Sequence, residues 1–125
     1  MDLLLDTHSF IWWLEKPDFL SSLASAAISD TNNNVFISSI TFLELGIKQS
    51  IGKLVTAKPF EEAFALYGFY ELPLTAKQAY AVKNLPLHHK DPFDRALIAQ
   101  AKITGLTLVT RDKIFAKYEI PIIEA

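Results

Sequence analysis

Short continuous apolar runs alternate with longer stretches of helical spacing along the whole chain. Leu3-Leu4-Leu5 is an unbroken run of the kind that forms a strand covered on both faces, and it stops at Asp6. Thr7 is placed to cap a helix over His8 to Glu15, which Pro17 interrupts. A second helix is expected from about Phe19 to Ser29, ending at the turn-forming stretch Asp30 to Asn34. Val35 to Ile37 reads as the second strand, and Ser38 and Ser39 offer caps for a helix from Ile40 to Ile51 that Gly52 closes. Pro59 suits the first turn of a helix to about Tyr67, followed by a short strand near Tyr70 to Leu72. Helices follow from Thr75 to Lys83 and from Asp91 to Ile103, the latter ended by Gly105. A strand at Leu106 to Val109, a short helix near Lys113 to Tyr118 and a strand at Ile120 to Ile123 complete the series. This alternation predicts an α/β fold with a central, mostly parallel sheet flanked by helices.

The 125 residues, half of them hydrophobic, have the length of one domain, expected to span 1–125, with enough apolar material for a core. The absence of cysteine excludes disulfides, thiolate zinc sites, iron-sulfur clusters and a cysteine nucleophile. Apolar runs are five residues or fewer, too short for a membrane span. Met1-Asp2 followed by three leucines lacks the basic start and longer apolar segment of a signal peptide, so a cytoplasmic location is expected. With 12 basic and 14 acidic residues the net charge is -2, which argues against coating nucleic acid by bulk charge.

The acidic residues are unusual in where they fall. On a helical wheel Ile40, Ile47 and Ile51 lie within roughly 20° of one another and Glu44 falls inside that stripe. Asp94 lies near the centre of a face formed by Phe93, Leu97, Ile98 and Ala101, roughly 100° from Phe93. A buried charge needs a partner or a cleft. Glu44 has Lys48 one turn on, and Asp91-Pro92-Phe93-Asp94 is a good helix start with Asp91 as cap, but neither accounts for the inward direction of Glu44 and Asp94. Asp6 follows the first strand directly and Asp112 follows Leu106-Thr107-Leu108-Val109 by two residues. In a parallel sheet all four acids gather beyond the carboxyl ends of the strands, where ligands bind. Their repulsion calls for a cation, and oxygen donors without thiolates suit Mg²⁺, with Mn²⁺ as a substitute. The histidines fit zinc poorly: His88 and His89 are adjacent, so their side chains diverge, and His8 stands alone. The implied chemistry is phosphoryl transfer or phosphodiester hydrolysis.

These residues resemble the PIN-domain family and, within it, the VapC-type toxins of prokaryotic toxin-antitoxin pairs. The stretches that carry the resemblance are Leu3-Leu4-Leu5-Asp6-Thr7-His8, Ser39-Ile40-Thr41-Phe42-Leu43-Glu44-Leu45, His89-Lys90-Asp91-Pro92-Phe93-Asp94-Arg95 with Leu97-Ile98-Ala99-Gln100-Ala101, and Leu108-Val109-Thr110-Arg111-Asp112. Each is weak alone, but their order and spacing are specific and span nearly the whole chain. The resemblance implies a metal-dependent endoribonuclease whose acidic positions match Asp6, Glu44, Asp94 and Asp112, with Asp91 and Thr110 at accompanying positions. Asp6 and Asp94 are then the expected direct metal ligands, with Glu44 and Asp112 completing the pocket. Arg95 and Arg111 are candidates for holding an RNA phosphate.

The resemblance also implies a small antitoxin protein as partner and a homodimer. Phe10-Ile11-Trp12-Trp13-Leu14, apolar all round a helical turn, either meets another chain or is sandwiched inside the fold. Two other readings compete: a receiver-like signalling domain with an acidic Mg²⁺ pocket, and a PIN-like binding module without catalysis. Paired acids after the first strand, the mark of a receiver, are missing, because Thr7 and His8 follow Asp6. Setting the four acids aside leaves the remainder at +2, and His88 to Lys117 holds six Lys or Arg residues, a basic rim suited to a polyanion.

Overall fold

Leu3, Leu4 and Leu5 are completely buried, and they explain the architecture. Strand β1 (Asp2–Leu5) sits in the middle of a sheet with helices on both faces, so consecutive side chains enter opposite cores. Leu3 and Leu5 join one cluster with Phe10, Ile37 and Val109, while Leu4 joins a second with Leu97, Leu108 and Phe115. Full burial of each leucine contributes about 1.5–3 kcal/mol. The structure is a computed structural model that describes residues 1–54 and 59–125.

Among the described residues the sheet has five strands in the order β3-β2-β1-β4-β5, with β2 at Asn34–Ser38, β3 at Tyr70–Leu72, β4 at Thr107–Thr110 and β5 at Ile122–Glu124. Every pairing is parallel, and Leu5 stands in register with both Ile37 and Val109. From β1 the chain builds outward through β2 and β3 on one side, then returns to lay β4 and β5 on the other. The ends of β1 and β4 therefore flank the point where the winding reverses, where open parallel sheets leave a crevice.

The helices are α1 (Thr7–Glu15), α2 (Ser22–Ser29), α3 (Ser39–Ser50), α4 (Ala63–Tyr67), α5 (Ala76–Tyr80) and α6 (Pro92–Thr104). Local chemistry sets their ends. Asp6, and not the expected Thr7, caps α1, its carboxylate accepting from the Ser9 amide at 2.8 Å. The stretch expected as one helix from Phe19 splits instead: Pro17–Phe19 forms a 3-10 turn and Ser21 caps α2 by accepting from Ala24 N–H. Thr75 and Gln78 form a reciprocal capping box on α5, which relaxes into a 3-10 turn over Ala81–Asn84. Gly105, at φ 74°, supplies the left-handed residue that ends α6.

A buried polar link fixes α6 against the other elements. The Ser38 hydroxyl donates to Gln100 Oε1 at 2.5 Å, and Gln100 Nε2 donates to Gln78 Oε1 at 3.1 Å. The segment Phe10 to Leu14 packs in part within the chain, with Ile11, Trp12 and Trp13 half-buried. Phe10 and Leu14 are buried, Trp12 lies against Phe19 and under the Arg111 guanidinium, and Trp13 packs on Tyr67 and Phe69. Exposed apolar residues occur elsewhere, notably Leu43, Ile47 and Ile51 at four-residue spacing on α3. The stripe expected to be buried through Ile40, Ile47 and Ile51 is thus covered only at Ile40, because the buried face of α3 runs instead through Thr41, Glu44 and Leu45, the first two facing Thr7 of α1.

Candidate metal centre

Asp6 leaves β1 at the crevice and is only 6 % exposed. Its Oδ1 accepts from Ser9 N–H, and its Oδ2 accepts from the Thr110 hydroxyl at 2.6 Å. Thr110, the last residue of β4, also accepts from the Asp112 amide at 3.1 Å, so one hydroxyl ties the loops after β1 and β4 together. Burial raises the Asp6 carboxyl above its ordinary value even though Ser9 and Thr110 hydrogen-bond to it.

Glu44 reaches the crevice from α3 and is 7 % exposed. Thr7 Oγ1 donates to its Oε1 at 2.8 Å, and Lys48 Nζ lies 2.9 Å from its Oε2. The inward direction and the pairing with Lys48 are thus both realised in the same side chain.

Asp94 stands in the first turn of α6, whose cap is Asp91; the Asp91 carboxylate accepts from the amides of Phe93 and Asp94. The Asp94 carboxyl is pushed up to about 7, first by burial, then by the charge of Asp91, with Asp6 and Glu44 adding to the effect and His89 opposing it. Asp112 comes from the loop after β4 and caps the 3-10 turn Lys113–Tyr118 by accepting from Ile114 N–H. Its other oxygen meets His89, whose Nε2 lies 2.9 Å from Asp112 Oδ2 and 3.1 Å from Asp94 Oδ2.

His89 is the residue that sequence reasoning missed. Judged as a zinc ligand beside His88 it looked badly placed, yet it completes a cluster with Asp94 and Asp112 whose donor atoms all lie within 4.8 Å. Its one sequence signal was position, two residues ahead of the Asp-Pro helix start, which carries it over the N-terminus of α6.

Both arginines proposed for phosphate are engaged otherwise. Arg95 points across the segment before α6, its two terminal nitrogens donating to the carbonyls of Val82, Leu85, Pro86 and His89. No fork remains there for a phosphate, because the end of the guanidinium closes a loop that would otherwise leave carbonyls unpaired. Arg111 donates through Nε to Ala125 O at 3.0 Å and through Nη2 to Phe19 O, and its guanidinium lies 4.4 Å above the Trp12 ring. The basic rim reduces accordingly. Lys102, though exposed, is in the last turn of α6, about 12 Å along the helix from Asp94 at 1.5 Å per residue; Lys90, Lys113 and Lys117 are the other exposed lysines of that stretch. A cavity of about 330 Å³ opens beside Asp112, lined by Thr110, Arg111, Lys113, Ala116 and Ile122.

The donor set fits a hard divalent cation. It offers carboxylate oxygens, with Asp6 buried and Asp94 and Asp112 partly exposed, and burial is the first cause that raises the carboxyls of Asp6 and Asp94. Among the described residues, the acids whose oxygens come together beside His89 are Asp94 and Asp112; Asp6 and Glu44 stand outside that cluster.

The chain belongs to the PIN-domain family, whose model matches residues 3–121. Among characterised relatives, Ribonuclease VapC22 of Mycobacterium tuberculosis is 30% identical over 126 residues, covering 94% of this chain and 92% of that protein. Similar solved structures include VapBC2 from Rickettsia felis bound to a promoter DNA fragment, with TM-score 0.72 and 17% identity over 98% of both chains. DNA-bound VapBC from Salmonella typhimurium aligns with TM-score 0.67 and 19% identity, covering 98% of this chain and 97% of that one. These structures share the fold. The order β3-β2-β1-β4-β5 also differs from the 2-1-3-4-5 order of flavodoxin-like receiver domains, which removes the signalling reading.

Proposed function

We propose that the chain is an Mg²⁺-dependent endoribonuclease acting as the toxin of a toxin-antitoxin pair, with residues 1–125 forming one catalytic domain. The observation that supports this reading is, in a PIN fold, the cluster of Asp94 and Asp112 about His89, with buried Asp6 tied to Thr110 at the end of β4. Its likeness to a ribonuclease over nearly its full length supports RNA as substrate. A bound divalent ion supplies Lewis acidity and lowers the pKa of water for attack on a phosphodiester. Asp6, Asp94 and Asp112 would hold that ion, and Mn²⁺ would substitute for Mg²⁺ because both take carboxylate oxygens. Glu44, held by Thr7 and Lys48, faces the same crevice and orients the attacking water. Thr110 and Asp91 support the ligands, Thr110 by its bond to Asp6 and Asp91 by building the helix turn that carries Asp94. Lys113, beside Asp112 and the adjoining cavity, is the cation placed to meet an RNA phosphate.

An antitoxin partner, a homodimer and a cytoplasmic location belong to the same reading. Similarity to chains solved as VapBC complexes supports the antitoxin, and the exposed Leu43, Ile47 and Ile51 offer apolar surface for association. The test is incubation of purified chain with RNA and Mg²⁺, with and without chelator. Cleavage that needs the metal and disappears in Asp6→Asn supports the proposal; undiminished cleavage by that variant sinks it.

A further inference from the structure

His89 is held more firmly than its place before a helix requires. Its backbone N–H donates to Tyr118 Oη at 2.7 Å, its carbonyl accepts from Arg95 Nη1 at 3.1 Å, and its ring tilts over Phe115 with centroids 5.4 Å apart. Tyr118 is itself anchored, donating to Pro86 O at 2.8 Å. The loop's position is thus set by contacts remote from the carboxylates.

The ring nitrogens then have separate roles. Nδ1 accepts the backbone N–H of Asp91 at 3.2 Å. A proton on Nδ1 would oppose that N–H, so the ring proton sits on Nε2. Nε2 faces Asp112 Oδ2 at 2.9 Å and Asp94 Oδ2 at 3.1 Å. Nε2–H donates to Asp112 Oδ2, from the loop after β4, and the ring nitrogen also stands against Asp94 Oδ2 at the start of α6 without hydrogen-bond geometry. In that tautomer Nε2 serves the neighbouring carboxylates as a donor, although it lies within the cluster of donor atoms.

We infer that His89 is a positioning residue for the metal-binding carboxylates: its Nε2–H holds Asp112 beside Asp94 and so orients the pair, and the ring is not itself a ligand. This rests on the reading that Asp94 and Asp112 hold a divalent ion. A donor N–H lets the acids approach while leaving their remaining lone pairs for the metal, the reverse of the usual arrangement in which a ligating histidine is oriented by a carboxylate.

The test uses the full chain and two readouts besides cleavage. A long-range ¹H–¹⁵N correlation spectrum reports the His89 tautomer in metal-free and Mg²⁺-saturated protein, and calorimetric titration with Mn²⁺ reports affinity for wild type, His89→Ala and His89→Gln. The expected spectrum has the proton on Nε2 in both states. His89→Ala is expected to weaken Mn²⁺ binding about ten-fold or more, and His89→Gln, whose amide N–H can replace the imidazole donor, to recover most of that loss. A proton on Nδ1, loss of the Nε2–H on metal addition, unchanged Mn²⁺ affinity in His89→Ala, or a glutamine variant no better than alanine each overturns the proposal. If His89→Ala does not fold, the wild-type tautomer and the His89→Gln titration decide. A protein with this His89 dependence that cuts no RNA keeps the positioning role and loses the nuclease reading, whereas a wild type that binds neither ion removes both.

Discussion

Replacing Arg95 by alanine separates a structural clamp from a phosphate-binding arginine. In the structure its terminal nitrogens hold the carbonyls of Val82, Leu85, Pro86 and His89 at 3.0–3.2 Å. A hydrogen bond from a charged donor contributes about 1.5–3 kcal/mol net, but the freed carbonyls lie in a partly exposed segment and regain water, so the contributions do not sum. The expected cost is about 3 kcal/mol, or a drop of roughly 10 °C in Tm for a domain of this size. Arg95→Lys retains the charge but not the planar fork, and about half of the loss is expected to remain. Urea denaturation followed by circular dichroism, with the slope m unchanged, measures both. The alanine variant should also bind Mn²⁺ more weakly, because the loop it loosens carries His89. Destabilisation below about 0.5 kcal/mol, the range of an ordinary surface change, together with a selective loss of RNA affinity, would refute the clamp and restore the phosphate role.

Other consequences concern the carboxylates and the buried amide. Asp94 titrates near 7 in the folded metal-free chain against 3.8 when unfolded, so between those values the folded state binds more protons and stability falls as pH rises. The ceiling on that loss is about 4 kcal/mol at 1.36 kcal/mol per pH unit, and Asp94→Asn should flatten the metal-free stability profile from pH 4 to 8; an unchanged profile contradicts the assignment. Mg²⁺ at one hundred times its Kd should stabilise wild type by about 2.7 kcal/mol, read as a rise in Tm that Asp6→Asn abolishes. Gln100→Ala would strand the Ser38 hydroxyl proton in the core while Gln78 Oε1 keeps the Thr75 amide as donor, at a cost of about 1–3 kcal/mol by urea denaturation without direct effect on metal affinity.

Much of the architecture was legible because burial on both faces leaves continuous apolar runs. Leu3 to Leu5 and Leu106 to Val109 read as interior strands, and they occupy adjacent central positions in the sheet. Asp6, Glu44, Asp94 and Asp112 stood out as acids at strand ends or on apolar helix faces, a conflict that local structure alone could not explain. What was illegible depended on positions in space. A helical wheel orders the residues of α3 around its axis without saying which side meets the sheet, so Ile47 and Ile51 were expected inside and are exposed. Arg95 and Arg111 looked free because their acceptors are backbone carbonyls, which carry no sequence signature. Asp6 and Thr7 are both good caps, and only the backbone path shows that Asp6 caps α1 while Thr7 turns to Glu44. His89 stayed hidden because its partners arrive from residues 94 and 112.

The most direct test of the central claim is RNA cleavage by purified chain across a Mg²⁺ titration, for wild type and Asp94→Asn side by side. Cleavage that rises with Mg²⁺, stops on chelation, returns with excess metal and is lost in Asp94→Asn is the predicted result. Cleavage indifferent to chelator and equal in the two proteins would contradict it.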